Sequence, residues 1–208
     1  MTRSHRRLGL MGGALVVAGV LAIAGGTLAG GQPVGAAWMG GWLNATAGGS
    51  PVPTARQEAL ESAVPAGASV DRATNTVRFA TRQVDLTVLA APPDGPDQTF
   101  RVAGLTDPAI AVPQGAHVTL RLVNADAGMP HNFLLTSAQP PFPAMGMMMA
   151  APIFGAATTT LPEASGSGLP STTLTFTASS AGHFTYLCTV PGHAAEGMYG
   201  SFLVTAAS

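Results

Sequence analysis

One cysteine occurs in 208 residues, and it opens the segment Cys188-Thr-Val-Pro-Gly-His193-Ala-Ala-Glu-Gly-Met198 near the C-terminus. A thiolate, an imidazole and a thioether follow one another in one short stretch, and each is a donor suited to a soft or borderline transition-metal ion. Three such donors meet only if the stretch folds back between two fixed segments, and Pro191-Gly192 supplies the turn. Taken singly, a cysteine is more often a small buried hydrophobe, and a methionine near a C-terminus is ordinarily core. The joint spacing carries the metal reading. A lone cysteine also rules out an intrachain disulfide, so the fold must be held by packing. It excludes a dinuclear thiolate-bridged copper centre, which needs two cysteines in one loop.

A thiolate and two imidazoles in a plane, with a long weak axial thioether, make the ligand set of a blue-copper electron-transfer site. The stretch supplies three of these and requires one more histidine. His131 is the best placed. The alternating run His117-Val-Thr-Leu-Arg-Leu-Val-Asn124 puts Val118, Leu120 and Leu122 on one face of a half-buried strand. A polar turn from Ala125 to Pro130 follows, and His131 then opens a second apolar strand, where its side chain can reach a site at the end of a sheet. His183 precedes Cys188 on one strand with the opposite parity, so the two side chains leave opposite faces. His117 has no partner in the pattern, and His5 lies in the basic N-terminus.

Pro130-His131-Asn132-Phe133, taken with Tyr186-Leu-Cys-Thr-Val-Pro-Gly-His193-(four residues)-Met198-Tyr-Gly200, resembles the cupredoxins. The Cys-x4-His-x4-Met spacing narrows the likeness to the sulfocyanin, rusticyanin and auracyanin group. The resemblance runs from about Asn75 to Ala207 and implies one type 1 copper ion bound by His131, Cys188, His193 and Met198. It also implies that Asn132 ties the two ligand loops together by hydrogen bonding. Rusticyanin departs at that position, which draws the likeness toward sulfocyanin and auracyanin. In the family the histidine of the C-terminal loop, here His193, protrudes through an apolar surface as the electron doorway. Pro130 stands where azurins carry a glycine whose carbonyl is a second axial contact, so four coordinating groups are expected here and not five.

The 26 glycines and 17 prolines suit many short strands joined by turns. With the resemblance, the expected fold is all-β: a cupredoxin-like Greek-key β-sandwich over residues 73–208. Strands are expected at Thr76–Phe79, Gln83–Leu89, Thr99–Val102, Ile110–Val112, Val118–Val123, Asn132–Thr136, Thr172–Thr177, His183–Cys188 and Tyr199–Thr205. Phe184, Tyr186 and Cys188 share the core face of one of them, so an aromatic wall should back the sulfur, and a dry shell of that kind tends to raise a copper reduction potential. A net charge of -1 with 9% charged residues leaves no broad basic surface for nucleic acid.

The N-terminus has a different character. Arg3, Arg6 and Arg7 precede an uncharged run from Leu8 to Gly31, long enough to span a bilayer, which needs ~20 apolar residues. Residues 1–31 are expected to be a membrane anchor or signal segment, with the anchor favoured and cleavage near Ala36 or Ala37 as the competing account. Both deliver the domain outside the cytoplasm, anchored to the outer face of the cytoplasmic membrane or released from it. Residues 32–72 read as a Gly/Pro/Ala-rich spacer carrying Trp38 and Trp42, with a short helix at Thr54–Ser62.

Met145, Met147, Met148 and Met149 fall in one Pro/Gly-rich loop. Packing over the end of the sandwich, partner docking and a second copper(I) site all suit such a cluster. The expected function is a one-electron carrier cycling Cu(II)/Cu(I) in a membrane-associated, extracytoplasmic respiratory chain. Its expected partners are a redox protein donor and acceptor, such as a terminal oxidase or cytochrome complex, and the chain is expected to act as a monomer. An enzymatic role is disfavoured: a multicopper oxidase or nitrite reductase needs further histidine ligands, whereas Leu187 and Thr189 flank Cys188 and no His-x-His occurs. The alternative is a copper storage or delivery module that uses the Met-rich loop.

Overall fold

A computed structural model of the chain describes residues 46–145, 150–166 and 168–206. The expected anchor or signal segment at 1–31, His5, Trp38, Trp42 and Met147 to Met149 lie outside the described residues. Among the described residues no helix is long and apolar enough to cross a membrane.

The chain forms strands β1 (Thr46–Pro53), β2 (Ala68–Asp71), β3 (Thr76–Phe79), β4 (Gln83–Ala90), β5 (Phe100–Val102), β6 (Leu105–Thr106) and β7 (Ala109–Pro113). These are followed by β8 (Ala116–Asn124), β9 (Leu134–Thr136), β10 (Pro152–Ala157), β11 (Gly168–Ala178), β12 (Gly182–Leu187) and β13 (Tyr199–Thr205). One sheet has the order β1-β11-β8-β4-β5-β6 and the other β10-β9-β12-β13-β7-β3-β2. Strand pairs far apart in sequence, such as the parallel β4–β8 and β7–β13, close the sandwich. The expected strands are present, several of them extended at an end; β5 starts one residue late, at Phe100, β12 ends at Leu187 so that Cys188 lies just past it, and β9 starts at Leu134, with His131 making only an isolated bridge to Leu161.

Alternation explains where the core lies. On β4 and β8 the inward residues Val84, Leu86 and Val88 and Val118, Leu120 and Leu122 are 0–2% exposed. They meet Ile110, Val112, Tyr186, Phe202 and Val204 from the second sheet. Each fully buried side chain of this kind contributes about 1.5–3 kcal/mol of transfer free energy, and with the one cysteine unpaired this packing holds the sheets together. Gly200 lies opposite Tyr186 in the β12–β13 ladder, and a Cβ there would run into the Tyr186 phenol ring. Glycine at this position lets the aromatic ring lie flat across its neighbour.

Four strands are not among those expected: β1, β2, β6 and β10. The stretch 46–71, read from composition as spacer, carries β1 on the edge of one sheet, a short helix and β2 on the edge of the other. Its Gly and Pro content is compatible with pairing because an edge strand tolerates residues that lack an N–H or break register, and β1 pairs with β11 through two register shifts. β10 is also irregular, with Phe154 and Gly155 at positive φ and a register shift against β9. The expected helix at Thr54–Ser62 is a 3-10 turn, Thr54–Arg56, leading into α1 (Gln57–Ser62), without a side-chain cap.

Candidate metal centre

The C-terminal loop is a closed device between β12 and β13. Past the last ladder pair, Leu187 with Tyr199, the Cys188 N–H donates to the Met198 carbonyl at 3.1 Å, and the Met198 N–H donates to the His193 carbonyl at 2.9 Å. Inside it the His193 N–H reaches the Val190 carbonyl at 3.2 Å and the Glu196 N–H reaches the Gly192 carbonyl at 3.0 Å. Gly192 and Gly197 have φ of +91° and +115°, a region that residues with a Cβ avoid. A segment whose own peptide groups are paired in this way presents its side chains in one arrangement.

The loop and the β8–β9 connection bring His131, Cys188 and His193 together, 0%, 0% and 2% exposed. Cys188 Sγ lies 3.9 Å from His131 Nδ1 and 3.5 Å from His193 Nδ1, and the two Nδ1 atoms are 3.2 Å apart. A triangle with these sides has a circumradius of ~2.1 Å, and first-row ions bound by nitrogen and sulfur stand ~2.0–2.3 Å from their donors. One ion held by Cys188 Sγ, His131 Nδ1 and His193 Nδ1 could therefore stand at ligand distance from all three. Met198, 0% exposed, packs in the same core cluster as Cys188. The donor set is soft sulfur plus imidazole, the combination that suits copper.

Electrostatics favours a cation at that point. Burial lowers the pKa of both imidazoles below the ordinary histidine value, for His193 with the neighbouring His131 adding to it. Both rings are therefore neutral near pH 7 and offer lone pairs. Burial pushes the Cys188 thiol up to about 11, against hydrogen bonds from the peptide groups of Asn132 and Val190. The polypeptide alone keeps the thiol protonated, and a metal ion between the donors is what makes the thiolate stable there.

A second ring of polar contacts holds the ligands. Asn132 accepts the Thr189 N–H at 2.7 Å and donates from Nδ2 to Thr189 Oγ1 at 2.8 Å and Thr160 Oγ1 at 3.1 Å. It therefore links the residue after His131 to the residue after Cys188, as the resemblance implied. Asp126 Oδ2 stands 3.0 Å from His131 Nε2. Burial works against the charge on Asp126, but hydrogen bonds from His131 and the Gly128 and Met129 peptides hold its carboxyl below the ordinary range. Neither Asp126 nor Thr160 stood out in the sequence. Asp126 was legible only as part of a polar turn.

In the core cluster that contains Cys188, Phe133 stacks on Tyr186 with centroids 5.5 Å apart, and Phe100 meets both rings edge-on at 6.1 and 5.6 Å. Of the expected wall Tyr186 takes its place, with Phe133 and Phe100 as partners, whereas Phe184 packs edge-on against Phe154. His183 and His117 are exposed and outside the cluster, the latter 3.2 Å from Thr177 Oγ1. His193 departs from the doorway expected of it: at 2% exposure its ring lies beneath the surface and does not protrude. The stretch before β10 lies over this end of the molecule, with the Gly192 N–H donating to the Ala144 carbonyl at 2.7 Å and Phe142 packed on Tyr199 at 5.3 Å. Met145 in that stretch is 46% exposed.

A sequence profile for copper-binding proteins of the plastocyanin/azurin family matches residues 105–205, a span that includes all four expected ligands. Rusticyanin of Acidithiobacillus ferrooxidans is 31% identical over 130 residues, covering 62% of this chain and 81% of that protein. Rusticyanin of Acidithiobacillus ferridurans is 30% identical over 130 residues, covering 62% and 67%. Among solved structures, rusticyanin from Thiobacillus ferrooxidans at 1.27 Å superposes with a TM-score of 0.66 at 26% identity, over 75% of this chain and 96% of that one. Reduced rusticyanin at 1.9 Å gives 0.65 at 26% identity, over 75% and 99%. The group suggested by the loop spacing is represented here by rusticyanins. Sandwich, converging donors and relatives agree, and the chain belongs to the cupredoxins, the copper-binding proteins of the plastocyanin/azurin family, close to rusticyanin.

Proposed function

We propose that the chain is a one-electron carrier whose single type 1 copper ion is held by His131, Cys188, His193 and Met198. The observation that carries this reading is the convergence of the site: three donors meet at one point, each 0–2% exposed. Bound copper supplies a Cu(II)/Cu(I) couple. The protein would supply a frame that resists rearrangement between the two states, because Asn132 and the Cys188–Met198 backbone pairing tie both ligand loops. Small rearrangement makes electron exchange fast. Electrons pass through the loop bearing His193, where the exposed Pro191 and Ala195 offer the contact surface.

An enzymatic reading has less support, since the three-residue cluster is the one metal-type group found among the described residues. The second reading, copper storage or delivery, rests on the Met-rich loop, of which Met145 is exposed. Residues 1–31 are proposed as an anchor or signal segment that places the cupredoxin domain outside the cytoplasm, in a respiratory chain with a redox protein on either side.

Visible and EPR spectra of copper-loaded protein test the function. An intense thiolate-to-copper band, narrow copper hyperfine splitting and one copper per chain are expected, with the band lost in Cys188→Ala. Retention of the band in that variant would sink the assignment, and loading of additional copper(I) would favour delivery. Membrane fractionation of the full-length protein tests the location, and a soluble product with a new N-terminus near Ala37 would establish cleavage.

A further inference from the structure

The β8–β9 turn carries a group that the sandwich itself does not require. Asp126 Oδ2 stands 3.0 Å from His131 Nε2, while Oδ1 accepts the Gly128 N–H at 2.7 Å and the Met129 N–H at 3.2 Å. The Asp126 N–H donates to Asn124 Oδ1 at 3.0 Å, and Asn124, 0% exposed, donates from Nδ2 to the Met129 and Pro162 carbonyls at 2.9 and 2.7 Å. Both ends of the turn are thereby pinned, and the carboxylate has one direction left, toward the histidine.

We infer that Asp126 is a positioning residue that makes Nδ1 the metal-facing atom of His131 and lowers the reduction potential of the centre through its negative charge. This rests on the proposed role of His131 as a ligand. A neutral imidazole carries one proton, so Nε2–H held by an acceptor leaves Nδ1 bare. A carboxylate is the stricter guide because it only accepts, whereas an amide can turn its own N–H toward Nε2 and permit the other tautomer. The carboxylate also sets a full charge one imidazole ring away from the ion. That charge stabilises Cu(II) more than Cu(I), an effect damped by the 23% exposure of the Asp126 side chain and undamped on the side of His131, which is 0% exposed.

The variants Asp126→Asn and Asp126→Ala test this at one fixed pH. In the metal-free protein, nitrogen NMR of His131 should show the Nε2–H tautomer in wild type and a mixture in Asp126→Ala. In the copper protein, Asp126→Asn retains an acceptor for the turn and loses the charge, so the affinity ratio of Cu(I) over Cu(II) should rise about tenfold, a potential increase of ~59 mV for a one-electron couple. Asp126→Ala should weaken Cu(II) binding by about 10–100-fold, the usual cost of losing a partner behind a metal-bound histidine. An unchanged potential in Asp126→Asn overturns the charge role, and a single Nε2–H tautomer in Asp126→Ala overturns the positioning role. If Asp126→Ala does not fold, Asp126→Asn still decides the charge role by potential and the positioning role by its tautomer ratio. His131→Gly separates this from the ligand reading: it should abolish the thiolate-to-copper band, and a retained band removes His131 from the site altogether.

Discussion

Asn132 offers a direct measure of how rigidly the two ligand loops are joined. It is 8% exposed and makes three hydrogen bonds, of 2.7, 2.8 and 3.1 Å, to the Thr189 N–H, Thr189 Oγ1 and Thr160 Oγ1. In Asn132→Ala the two hydroxyl oxygens lose the amide donor, and Thr160 can accept from water in its place because it is exposed. The Thr189 N–H has no such substitute: the residue is 7% exposed, and its partner is gone. An orphaned buried peptide donor costs ~1–3 kcal/mol, and each lost hydroxyl bond adds a net ~0.5–1.5 kcal/mol. A destabilisation of ~2–6 kcal/mol is expected, a large part of the ~5–15 kcal/mol typical of a domain. Urea unfolding of the metal-free protein, followed by circular dichroism, gives the number without a contribution from copper. A double-mutant cycle with Thr189→Ala should then show a coupling of ~0.5–1.5 kcal/mol for the side-chain bond alone. A loss below ~0.5 kcal/mol in Asn132→Ala would refute the claim that a buried donor is left without a partner.

Met198→Leu conserves volume at a fully buried position and should cost less than ~1.5 kcal/mol in stability. Copper and colour should remain while the potential rises, because a thioether that would donate to Cu(II) is lost; voltammetry and the visible spectrum check both. Asp107 supplies a pH dependence: burial raises its carboxyl to about 7, against the hydrogen bond from the Phe100 N–H at 2.8 Å. Between pH ~4 and ~7 the folded chain keeps this proton and the unfolded chain has lost it, so the contribution is present at low pH and disappears as pH rises through that window. Asp107→Asn should keep the acceptor, flatten the slope and gain on the order of 3 kcal/mol over wild type at pH 8, as read by unfolding at several pH values.

Legibility of the fold followed burial. β8, with its alternation of buried and open positions from Ala116 to Leu122, and β13, which alternates likewise from Tyr199 to Thr205, write their faces into the sequence. β1 and β10 do not. Their Gly, Pro and positive-φ residues suit edges and irregular pairings, and an edge strand is selected by the partner it meets rather than by its own periodicity. Composition therefore assigns β1 to a linker, although eight residues of it run beside β11.

The ligand set divides along a similar line. Cys188, His193 and Met198 share one loop closed by hydrogen bonds between its own peptide groups, so their spacing in the sequence is nearly their geometry in space. His131 comes from another part of the chain, and strand context alone could rank it above His117 and His183. Asp126 is a further step removed. An aspartate two residues before a glycine describes an Asx turn wherever it occurs, and only the bond from Oδ2 to His131 Nε2 distinguishes this one. That bond exists because β8 ends in a buried Asn124, which ties the turn to Pro162, a residue 38 positions away. First-ring ligands are constrained by chemistry that a residue type announces. The groups behind them are constrained by direction, which arises only when separate segments are packed, and for that reason the frame that tunes a metal site is read from structure.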